Sequence, residues 1–500
     1  MNTILGIFGP PPGRQGSEGN LQNSRPSYQL LCKLPSDFFS FARKKRNPGI
    51  GFTSKRFFVL KSKYLLCYGK ERSRELESIE TYEELKRVAD DEPIENVKRM
   101  INIVDSQVFS FISKEKYLIN IVPKQDKPLI LLFDDENLFY SWIGLLKSCQ
   151  YSVSVNDFDV IREIGSGAFG QVQLCRLKTN NQLYAVKTVT LNGTGKDLLN
   201  QFIDERTIMQ YLNNCDFIVH MECCFRSGNK LFYVLEYGGG GDLYSKLKKF
   251  GRLPENKVKL IATELILAIG HLHHMHVLHR DIKPENILID TQGHIKLADF
   301  GLSKMISSFK GRAYSFCGTD LYRPPEMFTG TIGYTRALDW WQCGCVIYEL
   351  LTGTPAFSGH KESRRKQIIE GEPTYPSYLS SQAVSLIKCM LTKISHTRLG
   401  AGEGDYEDIL KHPFFNGIDI EKVKNREITV FEVDDTTDAT KHANLNKTMS
   451  VHNTNFYPKE IEEEFNGFDY ISPGFLTTIS EETAYQVNNL MTYHYPVELG

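Results

Sequence analysis

The sequence predicts a multidomain α+β protein. A small N-terminal β-barrel closed by one helix precedes a bilobal unit, strand-rich in its first lobe and helix-rich in its second, and an extended C-terminal tail follows. Three observations carry this reading. Short apolar runs separated by turns fill the first 150 residues and end in a segment with helical spacing. The strand pattern resumes at Phe158, and beyond the stretch Gly238 to Gly241 the chain turns largely helical up to Phe415. From Gly417 onward regular periodicity is lost.

Residues 1–24 are rich in Gly, Pro, Ser and Asn and are expected to be a disordered leader. Residues 25–150 form the front domain. Its runs YQLLCKL, KRFFVLKSKYLLCY, YLINIV and PLILLF read as strands, rich in β-branched and aromatic residues. NLFYSWIGLLKSC has apolar residues at helical spacing and opens at Asp134–Asp135 as a cap. In the second unit, residues 158–415, FDVIREIG, QVQLCRL and LYAVKTV read as strands, followed by a helix over DLLNQFIDERTIMQYL. Two further strands lead to the four glycines, whose position after LFYVLEY marks a hinge between lobes. Residues 416–500, acidic and rich in Asn and Thr, form a tail rather than a third domain.

Bulk properties narrow the function classes. A chain of 500 residues accommodates two or three domains. With 41% hydrophobic and 24% charged residues, the composition is that of a soluble globular protein. Lys and Arg number 59 against 60 acids, a net charge of -1, which argues against a nucleic-acid partner. No long uncharged apolar run could cross a bilayer, the N-terminus is a poor secretory signal, and Asn2 removes the glycine that myristoylation needs. Eleven cysteines without a repeating framework read as reduced cytosolic thiols, with Cys223, Cys224, Cys343 and Cys345 in apolar runs as core residues. His271, His273, His274, His276 and His279 resemble metal ligands, but no Cys or carboxylate completes a tetrahedral set, so they are assigned to packing.

The chemistry concentrates in a few strings. Gly165, Ser166, Gly167, Ala168, Phe169, Gly170 and Val172 belong to IGSGAFGQV. A dinucleotide fold uses the same glycine spacing but continues at once as a helix. Here Gln171 to Cys175 continue as a strand, which makes a hairpin whose N–H groups can lie over phosphates. Lys187 stands between apolar strand residues, where an ammonium is costly unless paired. The phosphates of ATP and Glu205 on the next helix are its natural partners. In HRDIKPEN, Asp281 would accept the proton of an incoming hydroxyl, Lys283 would neutralise developing charge on the γ-phosphate, and Asn286 would hold a metal ion. Asp299 of DFG supplies a second oxygen ligand, which suits Mg²⁺.

In this order and spacing the strings resemble a eukaryotic protein kinase over residues 158–415, with ATP and Mg²⁺ as cofactors and no essential position degraded. Pro324-Pro325-Glu326 stands where the family usually has Ala-Pro-Glu, but the Glu that would pair with Arg398 is kept. Asp339 matches the aspartate that anchors the catalytic loop's backbone. SFCGTDLYRPPE, DWW and HPFF resemble the AGC group, and Phe465, Phe468, Asp469 and Tyr470 resemble that group's hydrophobic motif, which docks onto the small lobe. Asp469 stands where many relatives carry a phosphorylated residue, so a constant carboxylate would make docking less dependent on phosphorylation.

The resemblance further implies that Ser315 is the activation-loop phosphosite of an upstream activating kinase, paired after modification with Arg280, and that Thr319 is structural. Backbone of Glu236 to Gly238 would hold adenine, Leu235 would be the gatekeeper and Asp242 would bond the ribose. Asp242, Glu285 and Glu349 match acidic positions that bind arginine in substrates, which would make a basophilic serine/threonine kinase. Thr448 and Ser450 are candidates for a turn-motif phosphosite. From another class, the unit could be a nucleotide-binding scaffold that docks partners without transferring phosphate.

The front domain is similar to a pleckstrin-homology domain. Lys33 would end its first strand, Lys55 and Arg56 would begin its second, Arg43 to Arg46 would fill the loop between them, and Lys70 would complete a pocket for a phosphoinositide headgroup. Ser54 departs from the usual basic pattern, and a barrel that binds protein or nothing in particular is the alternative. The domain order resembles protein kinase B. That resemblance implies a monomer in the cytoplasm with reversible plasma-membrane association. It also implies a front domain that covers the catalytic cleft at rest until anionic lipid draws it away and exposes Ser315.

Overall fold

The computed structural model describes residues 38–45, 52–79, 82–91, 96–113, 116–167, 170–191, 196–213, 215–329, 333–432, 468–472 and 475. The leader, the run YQLLCKL with Lys33, the glycine-loop tip Ala168–Phe169, Phe465, Thr448 and Ser450 lie outside these residues.

The front unit comprises β1 (Phe38–Lys45), β2 (Phe52–Lys61), β3 (Tyr64–Tyr68), α1 (Lys70–Leu76), α2 (Tyr82–Asp91), β4 (Val97–Asn102), β5 (Ser106–Ser113), β6 (Lys116–Pro123), β7 (Leu129–Phe133) and α3 (Glu136–Ser148). The strands make one antiparallel sheet in the order β4-β3-β2-β1-β7-β6-β5. Its concave face buries Phe58, Leu60, Leu65, Ile119 and Leu131 against Phe139, Trp142 and Leu146 of α3. Each such large apolar side chain contributes about 1.5–3 kcal/mol by leaving water. The indole of Trp142 also donates to Ser40 Oγ at 2.7 Å, so its one polar atom is satisfied. Asp135 caps α3 by accepting from the Leu138 N–H at 2.6 Å, as the sequence suggested.

Two features differ from expectation. A strand, β1, lies at 38–45 and pairs with β2, so Arg43, Lys44 and Lys45 belong to a strand and not to a loop. The charged run after Tyr68 folds as α1 and α2. Leu76 and Ala89 from these helices cover Phe39, Phe57, Val59 and Leu66 on the outer face of β1–β3. The Ser73 hydroxyl on α1 accepts from the Phe57 N–H at 3.0 Å, and Lys61 donates to the Asp90 carbonyl at the end of α2.

The second unit opens with β8 (Phe158–Gly167), β9 (Gly170–Leu177), β10 (Leu183–Thr190), α4 (Lys196–Tyr211), β11 (Met221–Ser227) and β12 (Lys230–Glu236). Gly238 to Gly241 then lead into α5 (Leu243–Phe250) and α6 (Glu255–His274). Short strands follow: β13 (Val277–Leu278), β14 (Ile287–Ile289), β15 (Ile295–Leu297) and β16 (Lys304–Met305). The larger lobe is completed by α7 (Glu326–Thr329), α8 (Ala337–Thr352), α9 (Lys361–Glu370), α10 (Ser381–Met390), α11 (Asp405–Leu410) and α12 (Ile420–Lys424). Fifteen of the sixteen residues of α8 are buried, which makes it the central helix of this lobe. Its Trp340, Val346, Ile347 and Leu350 share one core with Leu265, Ile266 and Ile269 of α6.

The tail returns to the smaller lobe. β17 (Tyr470–Ile471) pairs antiparallel with Cys223 and Cys224 of β11, extending the sheet to β17-β11-β12-β10-β9-β8. Among the described residues no helix is long and apolar enough to cross a membrane.

Candidate active site

The site lies where the two lobes meet. On the smaller-lobe side, β8 and β9 form the expected hairpin, with Ser166 opposite Gln171 and Gly167 opposite Gly170. Gly165 faces Val172 in that ladder. Gly170 is required sterically, because a Cβ there would lie 1.8 Å from the Thr188 carbonyl oxygen on β10.

Lys187 projects from β10, and its Nζ lies 2.6 Å from Glu205 Oε1 on α4 and 3.5 Å from Asp299 Oδ1. Burial alone would lower the Lys187 ammonium, but the Glu205 and Asp299 carboxylates more than offset this and hold it above the ordinary lysine value. The costly strand lysine thus has the partner the sequence assigned it.

The loop between β13 and β14 carries the opposing groups. Asp281 Oδ1 accepts from Thr319 N and Thr319 Oγ1, both at 2.7 Å, and Oδ2 accepts from Lys283 Nζ at 2.6 Å and Asn286 Nδ2 at 3.3 Å. Burial would raise this carboxyl, yet the hydrogen bonds from Lys283 and Thr319 outweigh it and keep Asp281 below the usual carboxylate range. Asn286 Nδ2 also donates to the Asp281 carbonyl at 2.9 Å, which ties the loop to itself. Asp299 stands at φ 61° and Arg280 at φ 72°. Such left-handed backbone at non-glycine residues costs of order 1–3 kcal/mol each and persists only when the surroundings enforce it.

For Arg280 the enforcing group is Asp339. This buried carboxylate accepts from the Arg280 N–H at 2.9 Å, the His279 N–H at 3.1 Å and His273 Nε2 at 3.0 Å. His273 also meets Asp405 through Nδ1 at 3.1 Å, so its role is in the core and not at a metal. Among the described residues no three His, Cys, Asp or Glu side chains gather as metal ligands. Phe300 is buried with its ring edge-on to His279, which keeps the neighbouring Asp299 turned toward Lys187.

Glu326 and Arg398 make the expected pair, with two parallel contacts of 2.8 Å. Glu236 ends β12, and its side chain accepts from Lys296 Nζ at 2.7 Å. Leu235 is partly buried against the core. Asp242 caps α5 through Ser245, and Glu349 is buried and accepts from the Tyr322 hydroxyl at 2.6 Å. Of the three acids matched to arginine binding, Glu285 alone is both exposed and outside such an engagement. Ser315 is exposed; its carbonyl accepts from the Tyr334 hydroxyl at 2.8 Å, and that hydroxyl accepts from Arg280 at 3.0 Å. The Ser315 side chain is therefore accessible in this structure.

Of the residues matched to the hydrophobic motif, Phe468, Asp469 and Tyr470 dock on the smaller lobe. Phe468 is fully buried, its ring 5.7 Å from that of Tyr233 and edge-on to it. The Phe468 carbonyl accepts from Arg206 Nε on α4 at 3.1 Å, and Asp469 Oδ1 accepts from the Arg226 N–H at 3.2 Å. Tyr470 lies beneath the Arg206 guanidinium at 5.4 Å.

Among the described residues of the front unit, the proposed cations Lys55 and Arg56 do not share a face. Lys55 and Arg56 are successive strand residues and point to opposite faces, and Lys70 begins α1. Burial raises the Cys67 thiol, against the opposing influence of Lys44, Arg56, Arg99 and Lys98, and Arg99 is itself paired with Asp126 at 2.8 Å. Gln342 was also missed. It accepts from the Ile282 N–H and donates to the Arg280 carbonyl, both at 3.0 Å, and the signal was its position one turn after Asp339 on α8.

Comparison with known proteins agrees with this geometry. Residues 158–415, just over half of the chain, match the family described as protein kinase domain. The chain is 38% identical over 283 residues to Protein kinase 2 of Dictyostelium discoideum, covering 56% of this chain and 58% of that protein. It is 35% identical over 296 residues to Serine/threonine-protein kinase AtPK1/AtPK6 of Arabidopsis thaliana, covering 59% and 63%. With Ribosomal protein S6 kinase beta of Caenorhabditis elegans it shares 35% over 345 residues, covering 66% and 62%. The chain thus spans about three-fifths of the length of these relatives.

Proposed function

This chain belongs to the protein kinase family, and from that premise we propose that it transfers the γ-phosphate of ATP to serine and threonine hydroxyls of protein substrates. The observation that carries the proposal is the opposition, across one cleft, of Lys187 paired with Glu205 and the Asp281 carboxylate held by Lys283, Asn286 and Thr319.

Asp281 has the roles of orienting the acceptor hydroxyl and receiving its proton as the bond to phosphorus forms; its lowered pKa keeps it ionised, so it acts first as an acceptor that aims the hydroxyl. Lys283, already within 2.9 Å of Thr319 Oγ1, lies beside that carboxylate and neutralises charge on the transferring group. Lys187 holds phosphate oxygens, and the β8–β9 hairpin covers them with its N–H groups. Glu236 to Gly238 present backbone to the adenine, and Asp242 borders the ribose. The exposed Asp299 carboxylate and the amide of Asn286 are hard oxygen donors on one side of the cleft, and that donor set fits Mg²⁺ shared with phosphates better than an all-protein cage. Bound there, Mg²⁺ would offset phosphate charge. Exchanging Asp281→Asn in the full chain should lower kcat on a basic Ser/Thr peptide by about 10²–10⁴-fold. Equal phosphate incorporation by both proteins would defeat the assignment and favour a docking scaffold.

The relatives are of the AGC type, and the docked tail supports placing this chain in that group. Ser315 is proposed as the site of an upstream kinase, since its exposure and its link through Tyr334 to Arg280 suit a phosphate that would order the segment. The seven-stranded sheet with its packed final helix supports a pleckstrin-homology reading of the front unit. On that reading Lys44 and Arg56, which share the face of Ala42 and Leu131, replace the set containing Lys55 and Lys70 as the headgroup ligands, and lipid recruits a cytoplasmic monomer to the plasma membrane. Sedimentation with phosphoinositide vesicles tests this: native protein should bind and the pair Lys44→Ala, Arg56→Ala should not, while a native protein that ignores the vesicles removes the recruitment step.

A further inference from the structure

We propose that the front unit acts as a positioning clamp for the kinase unit, gripping the docked tail with the turn between β2 and β3. The inference rests on the kinase reading for its consequence but not for its geometry. The turn residues are Ser62 and Lys63. Ser62 is buried at φ 50°, and its hydroxyl donates to the Asp469 carbonyl at 3.1 Å. Lys63 Nζ lies 3.4 Å from Asp469 Oδ2. The other carboxylate oxygen of Asp469 accepts from the Arg226 N–H of β11 at 3.2 Å. One carboxylate therefore joins three segments: the front unit, the tail and the smaller lobe. Tyr64, the first residue of β3, shares this environment. Its hydroxyl is raised to about 12 by burial together with the Asp105 and Asp469 carboxylates.

From Asp469 the contacts run inward to the reacting groups. The adjoining residue, Phe468, packs its ring on Tyr233 and gives its carbonyl to Arg206. Tyr233 donates its hydroxyl to the Phe202 carbonyl on α4 at 2.9 Å, and its ring lies 5.9 Å from Lys187 Nζ. Arg206 follows Glu205, the residue that pairs with Lys187. A tail held down at Asp469 thus keeps α4 turned inward, with the Lys187–Glu205 contact closed. Because front unit and tail share one chain, each contact forms at high effective concentration. The arrangement predicts the opposite sign from a cover over the cleft: loosening the front unit should lower activity. Lys63 is a positioning residue that works through Asp469, and it touches no reacting atom.

The test uses the full chain and two readouts. Hydrogen exchange of the amides of residues 470–472 reports docking whether or not phosphate is transferred, and kcat/KM for ATP reports the consequence. Lys63→Ala should speed that exchange and lower kcat/KM, each by about two- to five-fold, the range of a partly exposed ion pair. Lys63→Arg should restore both. Asp469→Asn keeps an oxygen for the Arg226 N–H but removes the charge facing Lys63, so in that background Lys63→Ala should have no further effect. Unchanged exchange in Lys63→Ala, effects that simply add in the double variant, or a rise in kcat/KM on Lys63→Glu would each overturn the clamp. A native chain that transfers no phosphate yet shows the exchange pattern would overturn the kinase reading and leave the clamp standing.

Discussion

Asp339→Asn is the most demanding perturbation of the site, because it alters no reacting group and almost no volume. Asp339 Oδ1 accepts from the Arg280 N–H, and Oδ2 accepts from the His279 N–H and from His273 Nε2. An amide can place its oxygen at the first position, but its NH₂ then faces two donors at the second. Two hydrogen bonds to a buried charge are lost, each worth about 1.5–3 kcal/mol, so the cost is about 3–6 kcal/mol. That is a large share of the roughly 5–15 kcal/mol that holds a domain folded. The loss falls on the backbone beside Arg280, whose φ of 72° needs external support, and Asp281 is the next residue. Urea unfolding of the native and variant chains should show a lower midpoint with an unchanged slope. Single-turnover phosphorylation should be slower by about 10²-fold, the usual effect of a misplacement near 1 Å. A variant within about 0.5 kcal/mol of native and within two-fold in rate would show that the catalytic loop holds itself and that Asp339 is a bystander.

Three further outcomes follow from the same structure. Phe468→Ala empties a fully buried site against Tyr233 and should weaken tail docking by about 3–5 kcal/mol; limited proteolysis should then cut the tail sooner while the larger lobe keeps its melting temperature, and an unchanged cleavage rate would refute the docking account. Ser315→Ala should abolish the gain from an activating kinase, expected at about tenfold in kcat from one or more new charge-assisted bonds; equal gain in both proteins would move the switch elsewhere. His273 supplies a pH test. Burial alone would lower its pKa, but hydrogen bonds to Asp339 and Asp405 raise it above the ordinary value. A group raised on folding stabilises fully below its unfolded pKa, near 6.5, and loses that contribution as pH rises through the native value. The Tm difference between native protein and His273→Gln should therefore shrink from pH 6 to pH 9, and a constant difference would refute an imidazolium at this position.

The catalytic groups were legible because each sits in a short local string whose residue types have few other uses. Lys187 could be paired with Glu205 in advance, since a strand ammonium between apolar neighbours demands a carboxylate. The final helix of the front unit was equally readable, with its cap at Asp135 and its apolar stripe through Trp142. The first strand was not. FFSFARKK alternates Ala42 inward with Arg43 outward, so its cations look like a loop until the partner strand is known. The helices α1 and α2 were hidden by their charge, because a few apolar positions such as Leu76 and Ala89 suffice to cover the outer face. Asp469 could be seen as a standing negative charge, but its partner Lys63 lies 406 residues away in the sequence, and no local pattern encodes such a meeting. Glu349 matches an arginine-binding position in the sequence. It is buried beneath Tyr322, a contact that only the packing of α8 creates.

The returning strand β17 also changes what the smaller lobe presents to other molecules. By pairing with Cys223 and Cys224 it occupies the flank of β11, and a bare flank of this kind is a ready template for a foreign strand. A truncated version ending before residue 468 would expose those amides and carbonyls beside the apolar pocket of Phe468. Such a fragment should gather into oligomers as its concentration rises, which would give the docked tail a part in solubility.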